Sequence, residues 1–269
     1  MTSRWSWIEW TLLAGLILWT VARAQDPALD LPVSPESHQT AAAVRSSLLL
    51  GRTMPSPVGT APVPPQDDPR DEPAPVFFGE EIDTAGGALV YVLDVSGSMG
   101  AWWRPAGAGP TQPGGTKWPT RLDAAKAEAC RSIAGLSPGL RFNVVSYNCV
   151  MAQLWPEARP ASAPNTRAAC AWVQALNSSG GTGTGPGCAV ALSDRSASAL
   201  VLLTDGSPNC GAGSGFVGSM ARHREIIRVA NTQRAAVNVF GIAATGDMRR
   251  FCMDVAADSG GSYYDVPGP

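Results

Sequence analysis

The stretch "VYVLDVSGSMG", residues 90–100, changes character at its midpoint. Val90 to Leu93 read as the end of a buried strand. Asp94, Ser96 and Ser98 then place an oxygen-bearing side chain at every second position. Alternate residues of an extended segment point the same way, and Gly97 lets the backbone turn between the serines. One carboxylate and two hydroxyls can therefore converge on a small hard cation. Mg2+ suits such a set, because it binds oxygen octahedrally, keeps waters and needs few protein ligands. The same residue types also form ordinary turns, so the flanking sequence has to choose between a turn and a site.

From residue 86 onward, apolar strands alternate with amphipathic helices. "GALVYVLD" (87–94), "SALVLLTDG" (198–206), "AVNVFGIA" (236–243) and "SYYDV" (262–266) read as strands. "GLRFNVVSYN" (139–148) and "VMAQLW" (150–155) are nearly contiguous and predict an antiparallel hairpin. "TRLDAAKAEACRSIAGL" (120–136) places Leu122, Ala125, Ala129, Ile133 and Leu136 on one helical face, with Thr120 as N-cap. Further helices are expected over 165–177, 186–194, 219–235 and 247–260. This alternation predicts an α/β fold with an open, mainly parallel sheet covered on both faces. In such sheets ligands sit at the carboxyl ends of strands, and two apolar strands here end in an acid, Asp94 and Asp205.

The preceding residues have a different texture. Residues 25–85 hold eleven prolines and little apolar periodicity, which predicts a semi-extended linker with one short helix at 39–51. At the N-terminus, Arg4, the apolar run 11–22 and "ARA" at 22–24 form the pattern of a signal peptide. Trp5, Trp7, Trp10 and Trp19 flank the run and equally suit a retained membrane anchor over residues 5–22. Three segments are thus expected: a signal or anchor (1–24), the linker (25–85) and a folded domain (86–269). The domain would lie outside the cytoplasm, either secreted, periplasmic or anchored to the cell envelope. Arginine outnumbers lysine 18 to 2, as GC-rich bacterial coding favours.

A formal net charge of −2 gives no field that would attract nucleic acid. The six cysteines lack CxxC spacing, and only His38 and His223 could add nitrogen ligands, which argues against zinc. In an exported chain they permit disulfides. No GxSxG motif occurs, "GPTQPGGTK" (109–117) lacks the spacing and the Gly-Lys pair of a P-loop, and "GTGTGPG" (181–187) is not a G-x-G-x-x-G following a strand. His223, between Arg222 and Arg224 on an expected helix, reads as a solvated surface histidine. The chain is therefore not expected to be an enzyme.

"VYVLDVSGSM", "GGT" at 180–182 and "LLTDG" at 202–206, each beside a strand end, resemble the von Willebrand factor type A domain and its metal-ion-dependent adhesion site. "RLDAAKAEA" and "RFNVVSYN" extend the resemblance over about residues 86–267. It implies a doubly wound six-stranded sheet of order 3-2-1-4-5-6, with the hairpin strand at an edge. It also implies a divalent cation (Mg2+, Mn2+ or Ca2+) held by Asp94, Ser96, Ser98, Thr182 and Asp205, with Thr184 as a second choice for the loop threonine. A partner's acidic side chain would complete the coordination. The chain departs from the family pattern in the glycines after Thr182 and in a Gly/Pro-rich insertion at 100–119. Trp102, Trp103 and Trp118 of that insertion either form a partner-facing patch or fold back over the domain edge. The same topology puts Cys210 and Cys252 near one end of the sheet, where they could pair, the alternatives being other pairings or free thiols. The resulting reading is an exported, metal-dependent protein-binding or adhesion module. The alternative is a membrane-anchored structural or assembly subunit, a companion of a secretion or chaperone-ATPase system, whose metal motif is secondary.

Overall fold

A computed structural model of the chain describes residues 73–105, 107–212 and 220–266. The expected signal or anchor, most of the linker and the helix at 39–51 lie outside the described residues.

β3 (Ala88–Asp94) is buried along its whole length. It runs parallel to β4 (Arg141–Tyr147) on one side and to β7 (Ala197–Thr204) on the other. β8 (Ala236–Ile242) and β9 (Tyr263–Val266) continue the parallel sheet beyond β7. β5 (Met151–Gln153) pairs antiparallel with β4 and forms the opposite edge, while the two-residue β6 (Arg159–Pro160) also pairs with β4. Numbering the six expected strands in chain order, the sheet runs 3-2-1-4-5-6, as the resemblance implies.

Alternation along the strands sends side chains to two separate cores. Leu89, Tyr91 and Leu93 pack beneath α1 (Arg121–Ala134) and α2 (Ala163–Gln174). Val90 and Val92 pack with α3 (Thr184–Ala191), α4 (Met220–Ala230) and α5 (Gly246–Ser259). Helices therefore cover both faces. α1 starts where Thr120 predicts: its hydroxyl accepts the Asp123 N–H, and the Asp123 carboxylate accepts the Thr120 N–H. α5 stops at Gly260, whose φ of 75° suits glycine.

The packed unit also reaches upstream of residue 86. β1 (Val76–Phe77) and β2 (Glu80–Glu81) form a small antiparallel hairpin. Phe77 is fully buried, its ring 4.8 Å from Phe240 of β8 and 5.8 Å from Tyr91 of β3. The hairpin thus contributes apolar cover to the sheet face that α1 and α2 share. Four residues, 76–77 and 80–81, are too few to show strand periodicity beside so much proline, so this part reads as linker in the sequence.

Candidate metal centre

The loop after β3 leaves the sheet at Asp94 and closes into a 3-10 turn at Gly97–Gly100. Its backbone is tied to two neighbours. Val95 donates its N–H to the Tyr147 carbonyl at 2.8 Å and accepts the Ser179 N–H at 2.8 Å. Gly97 donates to the Gly180 carbonyl at 2.9 Å. The three loops carrying the five expected ligands therefore meet at the carboxyl ends of the strands.

Within them runs a chain of oxygens. Ser96 Oγ lies 3.0 Å from Ser98 Oγ, and Ser98 Oγ donates to Asp205 Oδ1 at 2.7 Å. Gly206 locates the fourth group: a Cβ added there would lie 3.1 Å from Ser98 Oγ and 3.2 Å from Thr182 Oγ1. One point next to Gly206 thus touches both hydroxyls, and the glycine keeps that space clear. Thr182, not Thr184, faces it; Thr184 is fully buried at the start of α3.

Asp94 stands behind the hydroxyls. Oδ1 accepts the Ser96 N–H at 2.8 Å, and Oδ2 accepts the Thr204 hydroxyl at 2.8 Å and the Tyr147 hydroxyl at 3.4 Å. Complete burial pushes its pKa up to about 6, opposed by hydrogen bonds from Ser96 and Thr204. Asp205 has a fully buried side chain whose Oδ2 accepts from Arg121 Nη1 at 2.6 Å.

The donor set fits a hard divalent cation in kind: three hydroxyls and two carboxylates, all oxygen, around a space kept open by a glycine. The set includes no nitrogen or sulfur donor of the kind a softer ion prefers, and among the described residues no three His, Cys, Asp or Glu side chains group as a metal site. Ser96, Ser98, Thr182 and Asp205 could contact such an ion directly, with Asp94, which accepts the Ser96 N–H, behind them.

Thr182 is held from both sides. Its N–H donates to Asn209 Oδ1 at 2.8 Å, and its carbonyl accepts the N–H groups of Asn209 at 2.8 Å and Cys210 at 3.2 Å. Cys210 is bonded to Cys149, one of the alternative pairings, and not to Cys252. Cys149 sits in the β4–β5 turn, on the same rim as Cys210. Cys252 points from α5 into the core and is fully buried there. A Cβ on Gly181 would come within 3.0 Å of Cys149 Sγ and 3.1 Å of Cys210 Sγ, so the disulfide packs directly against the Thr182 loop.

His223 is also a correction, being fully buried rather than solvated. The tryptophans of the insertion divide. Trp102 is 49% exposed and bridges to Thr120 at the base of the insertion, with Lys117 Nζ 6.0 Å from its ring. Trp103 packs on the core below α1 and α2. Trp118 is half-buried and donates Nε1–H to the Gly109 carbonyl at 3.1 Å. The three do not form one exposed patch.

Sequence reasoning overlooked Arg121, Asn209 and Tyr147, and assigned no role to Thr204 of "LLTDG". Only Arg121 carried a signal, as a cation at the first position of a helix.

A family model described as the von Willebrand factor type A domain matches residues 128–265. The match includes Thr182 and Asp205 and begins after the Asp94–Ser98 loop. Among solved structures, a von Willebrand factor type A protein from Catenulispora acidiphila aligns with a TM-score of 0.54 at 22% identity, over 68% of this chain and 39% of that one. The vWF domain of the type V pili tip protein Mfa5 from Porphyromonas gingivalis gives 0.48 at 14%, over 66% and 88%. BatB, a conserved hypothetical protein from Bacteroides thetaiotaomicron, gives 0.47 at 18%, over 68% and 91%. The chain spans well under half of the Catenulispora protein, and that likeness speaks to fold alone. No curated protein matches the sequence.

Proposed function

Because the chain belongs to the von Willebrand factor type A domain family, we propose that it is an exported protein-binding module of the adhesion type that works through a divalent cation. Ser96, Ser98, Thr182 and Asp205 would hold the ion, with Asp94 behind them, and an acidic side chain of a partner protein would complete its shell. Mg2+ is the first choice, with Mn2+ and Ca2+ as alternatives. Bound there, the ion supplies a positive centre that a carboxylate can reach.

The observation that carries this reading is the continuous oxygen chain Ser96–Ser98–Asp205, with Thr182 facing it across the space kept open by Gly206. Among the four direct ligands only Asp205 is charged, so a dication would keep residual positive charge to attract an external carboxylate. Residues 1–24 would direct export or tether the chain, and the proline-rich stretch would space the domain from the envelope. Among the described residues no helix is long and apolar enough to cross a membrane.

One observation favours the structural-subunit alternative. Arg121 already neutralises Asp205, so the loops hold together through an ion pair of the chain's own.

Calorimetric titration of the full chain with Mg2+, Mn2+ and Ca2+, beside Ser96→Ala and Ser98→Ala, tests the proposal. Binding to the wild type that either alanine abolishes supports it. A folded wild type that takes up none of the three ions refutes it and leaves the structural reading.

A further inference from the structure

Resting on the metal-binding reading above, we propose that Arg121 is a built-in competitor for the cation. Its guanidinium holds Asp205 in the metal-free chain, and a divalent ion must loosen that contact to bind. Arg121 thereby sets how tightly the site takes metal.

The two partners differ in freedom. The Asp205 side chain is completely buried and held by Ser98 Oγ at 2.7 Å, whereas the Arg121 side chain is 26% exposed. Arg121 is therefore the member that can move away. Its backbone does not need to follow: the N–H is bound to the Ala101 carbonyl at 3.0 Å, and the capping box fixes the helix start beside it. A long side chain on a fixed backbone can exchange one rotamer for another at little structural cost.

The location of Arg121 is not explained by the helix. It occupies the first position of α1, where the macrodipole disfavours a cation. The neighbouring Asp123 has the sign that helix starts prefer. What Arg121 gains there is Asp205, a buried carboxylate that would otherwise be costly to leave uncompensated.

Charge then connects the two cations. Asp94 and Asp205 are neighbours, since Asp94 Oδ2 accepts at 2.8 Å the hydroxyl of Thr204, the residue before Asp205. Arg121 contributes one positive charge to this pair, and a dication would contribute two. Both seek the same carboxylate, and each disfavours the other through like-charge repulsion across a poorly solvated space. Guanidinium also satisfies Asp205 by a directed hydrogen bond of 2.6 Å, which the ion would have to replace.

The test measures Mn2+ affinity of the full chain by calorimetry, and melting temperature in chelator and in saturating Mn2+. The proteins are wild type, Arg121→Gln and Arg121→Lys. Arg121→Gln is expected to bind Mn2+ at least tenfold more tightly than wild type, with Arg121→Lys between them. In chelator, Arg121→Gln should melt below wild type, and Mn2+ should raise its melting temperature by more. Unchanged or weaker Mn2+ binding by Arg121→Gln, with clear binding by wild type, overturns the competitor role and leaves the metal site standing. Binding by none of the folded proteins overturns both. Should Arg121→Gln fail to fold, Arg121→Lys decides: tighter binding than wild type supports the competitor role, and equal or weaker binding overturns it.

Discussion

Nδ1 of His223 accepts the backbone N–H of Gly185 at 2.9 Å, so a side chain of α4 satisfies a donor in the first turn of α3. That turn follows directly on Thr182. Accepting at Nδ1 requires a neutral ring with its proton on Nε2, and burial lowers the pKa from 6.5. The folded chain therefore binds this proton less readily than the unfolded chain. Stability from the neutral ring is complete above pH 6.5 and is lost as pH falls below it. Wild type should lose urea resistance relative to His223→Gln between pH 7 and pH 5. Asp94 titrates in the same range with opposite sign, but it is common to both proteins and cancels from their difference. Parallel curves at the two pH values would contradict the role given to Nδ1.

Asp94 should show its own sign when the chain is metal-free. Its folded pKa of about 6 lies above the ordinary 3.8, so the folded state binds the proton more tightly. Charging the buried carboxylate destabilises the fold as pH rises through about 6, and the penalty is absent below the unfolded value. In chelator, wild type should gain about 2 kcal/mol relative to Asp94→Asn on going from pH 7.5 to 4, because a tenfold difference in proton affinity between the folded and unfolded chain is worth about 1.36 kcal/mol and pH 4 stops short of the full shift. Mn2+ affinity should decline over the same interval, because protonation removes a negative charge from the site. Urea titrations and calorimetry across that range read both effects.

The Cys149–Cys210 bond closes a 61-residue separation and clamps the Thr182 loop. Chain-entropy arguments put its contribution on the order of 4 kcal/mol. Denaturation with and without reductant should differ by about that amount. The Cys149→Ala/Cys210→Ala double variant should also bind Mn2+ more weakly than wild type, because Thr182 loses part of its support. Replacing Cys252 by alanine should leave the disulfide intact, as peptide mapping of the unreduced protein would show.

Phe77 lies in the stretch that reads as linker, yet its ring contacts Phe240 and Tyr91. Phe77→Ala should cost about 3–5 kcal/mol, the range for a buried aromatic. A chain beginning at residue 86 should be destabilised at least as much, since Ile82 is lost as well. Equal melting temperatures for chains beginning at residues 73 and 86 would show that the hairpin contributes nothing.

Most of the sheet was legible in the sequence. β3, β7 and β8 are continuous apolar runs, and the near-contact of residues 148 and 150 leaves β4 and β5 no arrangement but a hairpin. Thr120 announced α1 as its N-cap, and the structure completes the cap with Asp123. The site was legible in part, because Asp94, Ser96 and Ser98 carry their geometry in their spacing. Asp205 stood out as an acid ending an apolar strand and Thr182 as a hydroxyl in a glycine-rich loop, and the family resemblance tied both to the set. Arg121, Asn209 and Tyr147 could not be read in the same way, since each acts on a residue at least 27 positions away.

The sequence by itself determined the α/β alternation, the doubly wound sheet and the oxygen-rich loop at the end of its central strand. Local periodicity and turn chemistry are properties of neighbouring residues, and they survive without knowledge of the fold. Tertiary structure alone decided that Cys210 meets Cys149, that His223 is buried against α3, that the 76–81 hairpin joins the core, and that Arg121 lies on Asp205. Each is a contact between segments remote in sequence, settled by how the helices and loops pack over the sheet.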